Sequence, residues 1–305
     1  METDPPRPVE PGKTAPRMNW RILSDADPAE GAPGPRNMAV DEAVLAAVEA
    51  GEAPPTLRVY GWSPPCISLG HSQDPSRELD LDVVAARGYG IVKRATGGRA
   101  VLHIDELTYS VIARADAAPW CATQASAYRA ISQAVAQALS GAGFGITLDR
   151  GYPVEKPQDL RAMTPCFSST ARSEVVFGDR KVVGSAQRRT REAFLQHGSI
   201  LVSRRHRDIV DCLKLGPGKR AGYLDLLDRN AVSLDIAWER PVRWEDLSAG
   251  FAGRLAEALG LRAVSGGLTA EEARDARERE AEKRKAMEGW TASPASGREI
   301  PAAAC

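Results

Sequence analysis

Cys166 and Lys181 stand fifteen residues apart in the segment TPCFSSTARSEVVFGDRKVVGS (164–185), the cysteine in a polar loop and the lysine at the opening of a strand. If the loop folds back over the hairpin that follows it, the two side chains can meet, and an ammonium beside a thiol favours the thiolate. The chemistry would be nucleophilic. A thiol of ordinary pKa needs about 2 kcal/mol to ionise at pH 7, and a neighbouring cation can remove that cost. The plain alternative is a buried, inert Cys166 and a Lys181 that only decorates a hairpin turn.

A second cluster lies upstream in RATGGRAVLHIDELTYS (94–110), where Arg94, Arg99 and His103 surround the pair Gly97-Gly98. Glycines without Cβ atoms take positive φ and let bare backbone N–H groups approach a carbonyl, carboxylate or phosphate. A hairpin whose charges face water explains the same residues. Downstream, Gly184 and Ser185 follow the lysine strand and either let a substrate pass close to the backbone or form a bulge.

The elements that must position these groups follow from local patterning. Strands are predicted at NWRILS, TLRVYGW (56–62) and CISLGH (66–71), the last two separated by Ser63-Pro64-Pro65. GYGIVKR, RAVLHI and ELTYSVIA continue the series, so the glycine turn falls at strand ends. Helices are predicted over 35–50, where Met38, Asp41, Leu45 and Val48 recur at helical spacing after a proline start, and over 81–87 and 123–141. The hairpin SEVVFGDRKVVGSAQ turns at Gly178-Asp179-Arg180 and is followed by the strand FLQHGSILV. Beyond His206 the chain reads as helical, with one amphipathic helix over 244–259 and a charged helix over 269–289 taken as a solvated face after a possible hinge at GLTAEEA. Strands crowd the first 200 residues without βαβ alternation, which predicts an α+β fold with a mixed β-sheet core and packed helices. The expected organisation is a tail over 1–17, a catalytic domain over 18–240, a C-terminal helical segment over 241–292 and a second tail over 293–305.

Composition narrows the function classes. The 305 residues are 43% hydrophobic and 26% charged, enough for a real core, and 40 Lys plus Arg balance 40 Asp plus Glu. Neutral balance gives no reason to expect nucleic-acid binding. No apolar run approaches the roughly 18 residues that cross a bilayer, and METDPPRPVEPGKTAPR, with five prolines, lacks a signal-peptide core. A cytoplasmic protein with no membrane partner is the expectation. Cys66, Cys121, Cys166, Cys212 and Cys305 are odd in number and scattered, which suggests neither a disulfide framework nor a metal site. Cys66, Cys121 and Cys212 read as small packing residues and Cys305 as an exposed terminal thiol. His197 reads as a core histidine bonded to backbone. The runs Arg188, Arg189, Arg191 and Arg204, Arg205, Arg207 are either ordinary surface charge or a field that steers an acidic carrier protein.

The order and spacing of RNMAVDEAVL, PPTLRVYGW, RATGGRAVLH, ELTYSVIA and KVVGSAQRRTREAFLQHGSIL resemble the lipoate-protein ligase A and octanoyltransferase superfamily, related to biotin protein ligases, over about 18–240. The resemblance implies the biotin/lipoate protein ligase-like fold. It favours the cysteine-dependent octanoyltransferase branch, because Arg99 stands where ligases usually have a third glycine. Cys166 and Lys181 match the residues that branch uses as acyl-thioester nucleophile and as the group that lowers its pKa. Arg94, Gly97, Gly98, Arg99, His103, Gly184 and Ser185 are implied to bind substrate, His103 through positioning or structural hydrogen bonding, with direct proton transfer as its alternative role. Ile104 departs from the acidic residue common after this histidine in relatives, although Asp105 is adjacent.

The implied reaction moves octanoyl from the phosphopantetheine thioester of an acyl carrier protein, through an enzyme thioester, to a lysine of a lipoyl-domain protein such as glycine-cleavage H protein, in lipoate biosynthesis. No metal, nucleotide or other cofactor is implied for the transfer. The alternatives are an octanoyl amidotransferase acting between lipoyl-domain proteins, an ATP-dependent lipoate ligase and a catalytically silent lipoyl-domain binding module.

Overall fold

The computed structural model describes residues 19–24, 31–116, 123–148 and 174–291. In chain order the first elements are β1 (Trp20–Ser24), α1 (Gly34–Ala50), β2 (Thr56–Tyr60), β3 (Cys66–Leu69), α2 (Pro75–Glu78) and α3 (Leu81–Ala86). They are followed by β4 (Gly90–Lys93), β5 (Val101–His103), β6 (Glu106–Arg114), α4 (Gln124–Ser140), β7 (Thr147–Leu148), β8 (Val175–Phe177), β9 (Arg180–Arg189) and β10 (Ala193–Leu201). A 3-10 turn over Arg204–Asp208 then leads into α5 (Ile209–Cys212), α6 (Lys219–Asn230), α7 (Leu234–Ala237), α8 (Trp244–Ser248), α9 (Phe251–Ala258), β11 (Ala263–Ser265) and α10 (Ala270–Thr291).

Eight strands form a large mixed sheet in the order β11-β1-β2-β6-β10-β9-β8-β7, and β4-β3-β5 form a small one. β1 runs parallel to β2 and β11, whereas every pairing from β2 to β7 is antiparallel. Because side chains alternate across a strand, the register divides the large sheet into two unlike faces. Leu57, Val59, Leu107, Tyr109 and Val111 pack with Ile131, Val135 and Leu139 of α4 and with Phe251 and Leu255 of α9. On the opposite face, the pairs Arg58↔Ser110, Tyr60↔Thr108, His197↔Ser110 and Ser199↔Thr108 set polar side chains beside one another.

α1 lies on that polar face. It starts with proline in its first turn and stops where Gly51 adopts φ +76°, a left-handed cap. Met38, Asp41, Leu45 and Val48 are buried as their spacing predicts, but so are Ala39, Val40, Ala43 and Val44, because α10 covers the helix from outside. The charged C-terminal helix is therefore more than a solvated face. Ala276 is fully buried beside Leu23, Val40 and Leu45, and Glu272 receives Arg21 Nη1 and Nη2 at 2.7 and 2.6 Å. Two further expectations change. Gly250, at φ +70°, splits the expected helix over 244–259 into α8 and α9, and part of the stretch before α10 forms β11, which pairs with β1.

Candidate active-site cleft

A cleft opens between the polar face of the large sheet, α1 and the small sheet. Met38, Tyr60, Trp62 and Val101 give it apolar wall, while Arg94, His103, Ser68, Thr108, His197 and Ser199 supply polar groups. Gly184, Ser185 and Ala186 of β9 close another side. Of the residues expected to bind substrate, Arg94, His103, Gly184 and Ser185 line this space; Gly97, Gly98 and Arg99 form the turn beside it.

Arg94 builds that turn from within. Its buried guanidinium donates to the Gly97 carbonyl at 2.9 Å, the Arg99 carbonyl at 2.7 Å, and both the carbonyl and hydroxyl oxygens of Ser68 at 2.9 Å. A planar fork with five donors suits four acceptors held at fixed angles. Only Gly98 of the glycine pair has positive φ, at +94°. Gly70 supplies the missing half of the geometry, since a Cβ there would stand 2.2 Å from the Gly98 carbonyl oxygen.

His103 stands on one wall, stacked on Trp62 with ring centroids 3.8 Å apart. Nδ1 meets Glu106 Oε1 at 2.7 Å and Nε2 meets Ser68 Oγ at 2.7 Å. Glu106 Oε1 also accepts from Thr108 Oγ1 at 2.6 Å and Ser199 Oγ at 2.8 Å, while Oε2 is buried without a hydrogen-bond partner among the described residues. The acidic companion of the histidine is thus Glu106, three residues on. Ile104 is buried in the core, and Asp105 turns outward at φ +44° to accept from Ser203 Oγ.

His197 departs from the core histidine bonded to backbone. Its Nε2 lies 2.7 Å from Thr96 Oγ1 and its Nδ1 3.3 Å from Asp41 Oδ2, so both partners are side chains, and the ring borders the cleft. Burial lowers its pKa below the ordinary histidine value against the opposing hydrogen bond and charge of Asp41. Asp41 also takes Arg58 Nη1 at 3.0 Å, Tyr60 Oη at 3.0 Å and Ser110 Oγ at 2.8 Å. Burial alone would raise its pKa; the His197 hydrogen bond, the Arg58 charge and the Ser110 hydroxyl together hold it below the usual carboxylate range. Periodicity singled out Asp41 only as a helix position. Its partners come from β2, β6 and β10, so no local pattern announces them.

Lys181 is 3% exposed and donates from Nζ to Glu174 Oε1 at 2.9 Å. It is the second residue of β9, three residues before Gly184, and its carbonyl accepts from the Val232 N–H. It is not among the residues that line the cleft. Cys166 lies outside the described residues, as do Cys121 and Cys305. Cys66 and Cys212 are buried, as expected of packing residues, and burial drives both thiols away from ionisation, Cys212 up to about 12. Ser185 Oγ reaches Tyr109 Oη at 2.8 Å in an unbroken β9–β10 register, so Gly184-Ser185 is not a bulge.

The two basic runs differ. Arg204 and Arg207 pair with Asp228, and Arg205 with Asp105 and Asp208, which neutralises the second run. In the first, Arg188 donates to the Ala95 carbonyl beside the glycine turn, Arg189 to the Ala115 carbonyl, and Arg191 pairs with Glu192. Among the described residues no helix is long and apolar enough to cross a membrane, and no three His, Cys, Asp or Glu side chains gather as a metal site.

Comparison with known proteins agrees with this geometry. Residues 33–253 match the lipoyl protein ligase A/B catalytic domain. The chain is 40% identical to octanoyltransferase LipM of Symbiobacterium thermophilum over 85% of its own length and 93% of that protein, and 41% identical to octanoyltransferase LipM of Kyrpidia tusciae over 84% and 92%. Among solved structures, a bipartite lipoate protein ligase from Thermoplasma acidophilum superimposes with TM-score 0.69 at 21% identity, covering 92% of this chain and 99% of that one. A lipoate-protein ligase A bound with ATP gives 0.68 at 22%, covering 90% and 98%. These two likenesses establish the mixed-sheet fold, and the sequence matches establish the membership: the chain belongs to the lipoyl protein ligase A/B catalytic domain family.

Proposed function

We propose that this protein is a protein N-octanoyltransferase of lipoate biosynthesis. The observation that carries the reading is its identity of 40% with the S. thermophilum octanoyltransferase over nearly the full length of both chains. A cleft with Met38, Tyr60, Trp62 and Val101 on its walls suits a saturated acyl chain, whose burial is favourable at about 25 cal/mol per Å² of apolar surface.

In this reading Cys166 is the nucleophile. Its thiolate attacks the thioester carbonyl of an octanoyl carrier protein, the carrier thiolate leaves, and octanoyl rests on the enzyme sulfur. The lysine amine of a lipoyl-domain protein, such as glycine-cleavage H protein, then attacks the new thioester; the amide forms, the nitrogen gives its proton to the departing sulfur and Cys166 leaves as thiol. Lys181 lowers the cost of ionising that sulfur or stabilises the carbonyl oxygen as it becomes negative. Arg94, Gly97, Gly98, Arg99, Gly184 and Ser185 shape the acyl and pantetheine pocket. The compartment is the cytoplasm.

Intact-mass measurement tests donor, covalency and nucleotide independence together. Incubation with octanoyl carrier protein and no ATP should add one octanoyl group to the wild type and none to Cys166→Ala. Labelling that persists in Cys166→Ala rejects the cysteine route. ATP-dependent attachment of free lipoate, retained in that variant, makes the protein a ligase. A much faster reaction with an octanoylated H protein as donor makes it an amidotransferase.

A further inference from the structure

The acceptor lysine arrives as an ammonium and must lose a proton before it can attack. At pH 7 its free-amine form is rarer than the charged form by about three powers of ten. A group on the cleft wall able to take that proton and hold it would remove the obstacle, and the hydrogen-bond directions around His103 describe one. An ionised carboxylate only accepts, so His103 Nδ1 carries its hydrogen toward Glu106 Oε1 at 2.7 Å. On the other side Arg94 Nη1 donates to Ser68 Oγ at 2.9 Å, which leaves the Ser68 hydroxyl hydrogen free to point at His103 Nε2, 2.7 Å away. The series Arg94, Ser68, His103, Glu106 thus has a consistent set of donors and acceptors with Nε2 as acceptor. His103 and Ser68 both border the cleft.

The far end of the series is unusual. Glu106 Oε1 takes three hydrogen bonds, while Oε2 is buried and has none among the described residues. A buried carboxylate with one bare oxygen is costly, and it gains when its neighbour turns cationic. We infer that His103, held and polarised by Glu106, is the base that relieves the acceptor lysine of its proton, taken up at Nε2 through the Ser68 hydroxyl. The inference rests on the thioester-to-lysine reading above. Lys-NH3⁺ gives one proton to Ser68 Oγ as the Ser68 hydroxyl passes its own hydrogen to Nε2 across their 2.7 Å contact, which leaves Ser68 a neutral hydroxyl and His103 an imidazolium. The neutral amine then forms the C–N bond as the C–S bond breaks, the nitrogen sheds its second proton to the departing cysteine sulfur, and imidazolium later releases its proton to water.

Charged groups facing the ring set its balance. Glu106 of β6 favours the imidazolium; Arg94 beyond Ser68 opposes it, and His197 with Asp41 lies on the neighbouring part of the polar face. Asp105 and Arg205 pair with each other at 3.8 Å on the outer side.

The test separates the two half-reactions. Wild type, His103→Asn and Glu106→Gln are first charged with octanoyl carrier protein, read by intact mass, and the charged forms are then mixed with a lipoyl-domain acceptor across pH 6 to 9. Asparagine keeps a donor toward Glu106, and glutamine keeps an acceptor for Nδ1–H. The expected result is a loss of ~10²–10⁴-fold in transfer to lysine, far larger than any change in acyl-enzyme formation. In His103→Asn the transfer rate should also lose the lower inflection of its pH profile. Equal losses in both half-reactions, or variants that transfer with the wild-type rate and pH profile, overturn the inference alone. A wild type that gains no octanoyl mass overturns the covalent reading and the inference with it.

Discussion

Lys181 and Glu174 form a buried ion pair, Nζ to Oε1 at 2.9 Å, with side chains 4% and 3% exposed. The residue proposed to tune a thiol is thus held against a carboxylate inside the fold. Removing one partner takes from the other the buried charge it faces.

Lys181→Met should therefore destabilise the fold by roughly 3–5 kcal/mol in urea denaturation, and Glu174→Gln added to it should recover part of that loss. The same lysine variant separates the two proposed chemical roles. If Lys181 tunes the Cys166 thiol, self-acylation at pH 7 falls about 30-fold, the factor between a thiolate and an ordinary thiol, and raising the pH to 9 restores it. If Lys181 instead stabilises the oxyanion, the loss persists at pH 9. Unchanged self-acylation at both pH values would remove Lys181 from the chemistry.

Gly70 and Gly97 give opposite expectations, although only Gly97 stands in the glycine pair that attracts attention in the sequence. A methyl group at Gly70 would stand 2.2 Å from the Gly98 carbonyl oxygen, a backbone atom with no room to yield, whereas at Gly97 it meets only the His71 ring at 3.8 Å. Gly70→Ala should displace the turn, cost about 1–3 kcal/mol and reduce octanoyl transfer. Gly97→Ala should leave stability within about 0.5 kcal/mol. Thermal melts and transfer assays on the two variants decide; equal effects would mean that the close approach of Gly70 does not control the turn.

The contrast reflects what a sequence exposes. α1, α4 and the β8–β9 hairpin were legible because their signals are local: a proline start and glycine stop, a Thr123–Ser126 capping box, and a turn at Gly178-Asp179. β11 was not, because three half-exposed residues become a strand only through β1, more than two hundred positions away. α10 hid its inner face in the same way: among many charges, Glu272 is buried because Arg21 comes from the other end of the chain. In the cleft, His103 and Arg94 were visible as residue types beside a glycine turn. Glu106, Trp62, Ser68 and Ser199 were not picked out, since their importance comes from register and stacking between two sheets. His-x-x-Glu spacing was the one local clue to Glu106.

The Asp41–His197 pair predicts a two-step loss of stability in acid. His197 has a lowered pKa in the fold, chiefly through burial, and His206 is lowered for the same leading reason. As pH falls below the ordinary histidine value near 6.5, the unfolded chain takes up protons that the folded rings refuse, so stability declines. Asp41, depressed in the fold, contributes stability that is present above the ordinary carboxylate value near 3.9 and is lost as pH falls through its lower folded value. His197→Gln should flatten the first step by up to about 1.4 kcal/mol per pH unit, leaving the His206 share. Urea titrations between pH 7 and 5 read this slope; an unchanged slope would mean that His197 takes up its proton over the same pH range in the folded and the unfolded chain.

Thiol reactivity gives an independent reading of the nucleophile. Burial pushes the Cys66 thiol well up and the Cys212 thiol up to about 12, so neither presents a useful fraction of thiolate at pH 7.4. Brief alkylation of the native protein, mapped by peptide mass, should spare Cys66 and Cys212, and denaturant should expose all five cysteines. Pre-incubation with octanoyl carrier protein should protect Cys166 and leave labelling at Cys121 and Cys305 unchanged. Protection that appears at Cys121 or Cys305 instead, or labelling of Cys166 at one rate with and without the donor, would assign the acyl group to another residue. A low-pKa sulfur also reacts as thiolate below pH 7, where ordinary thiols fall silent. Repeating the alkylation at pH 6 should therefore widen the lead of Cys166 over the terminal Cys305, and a lead that shrinks would show that its thiol is not activated.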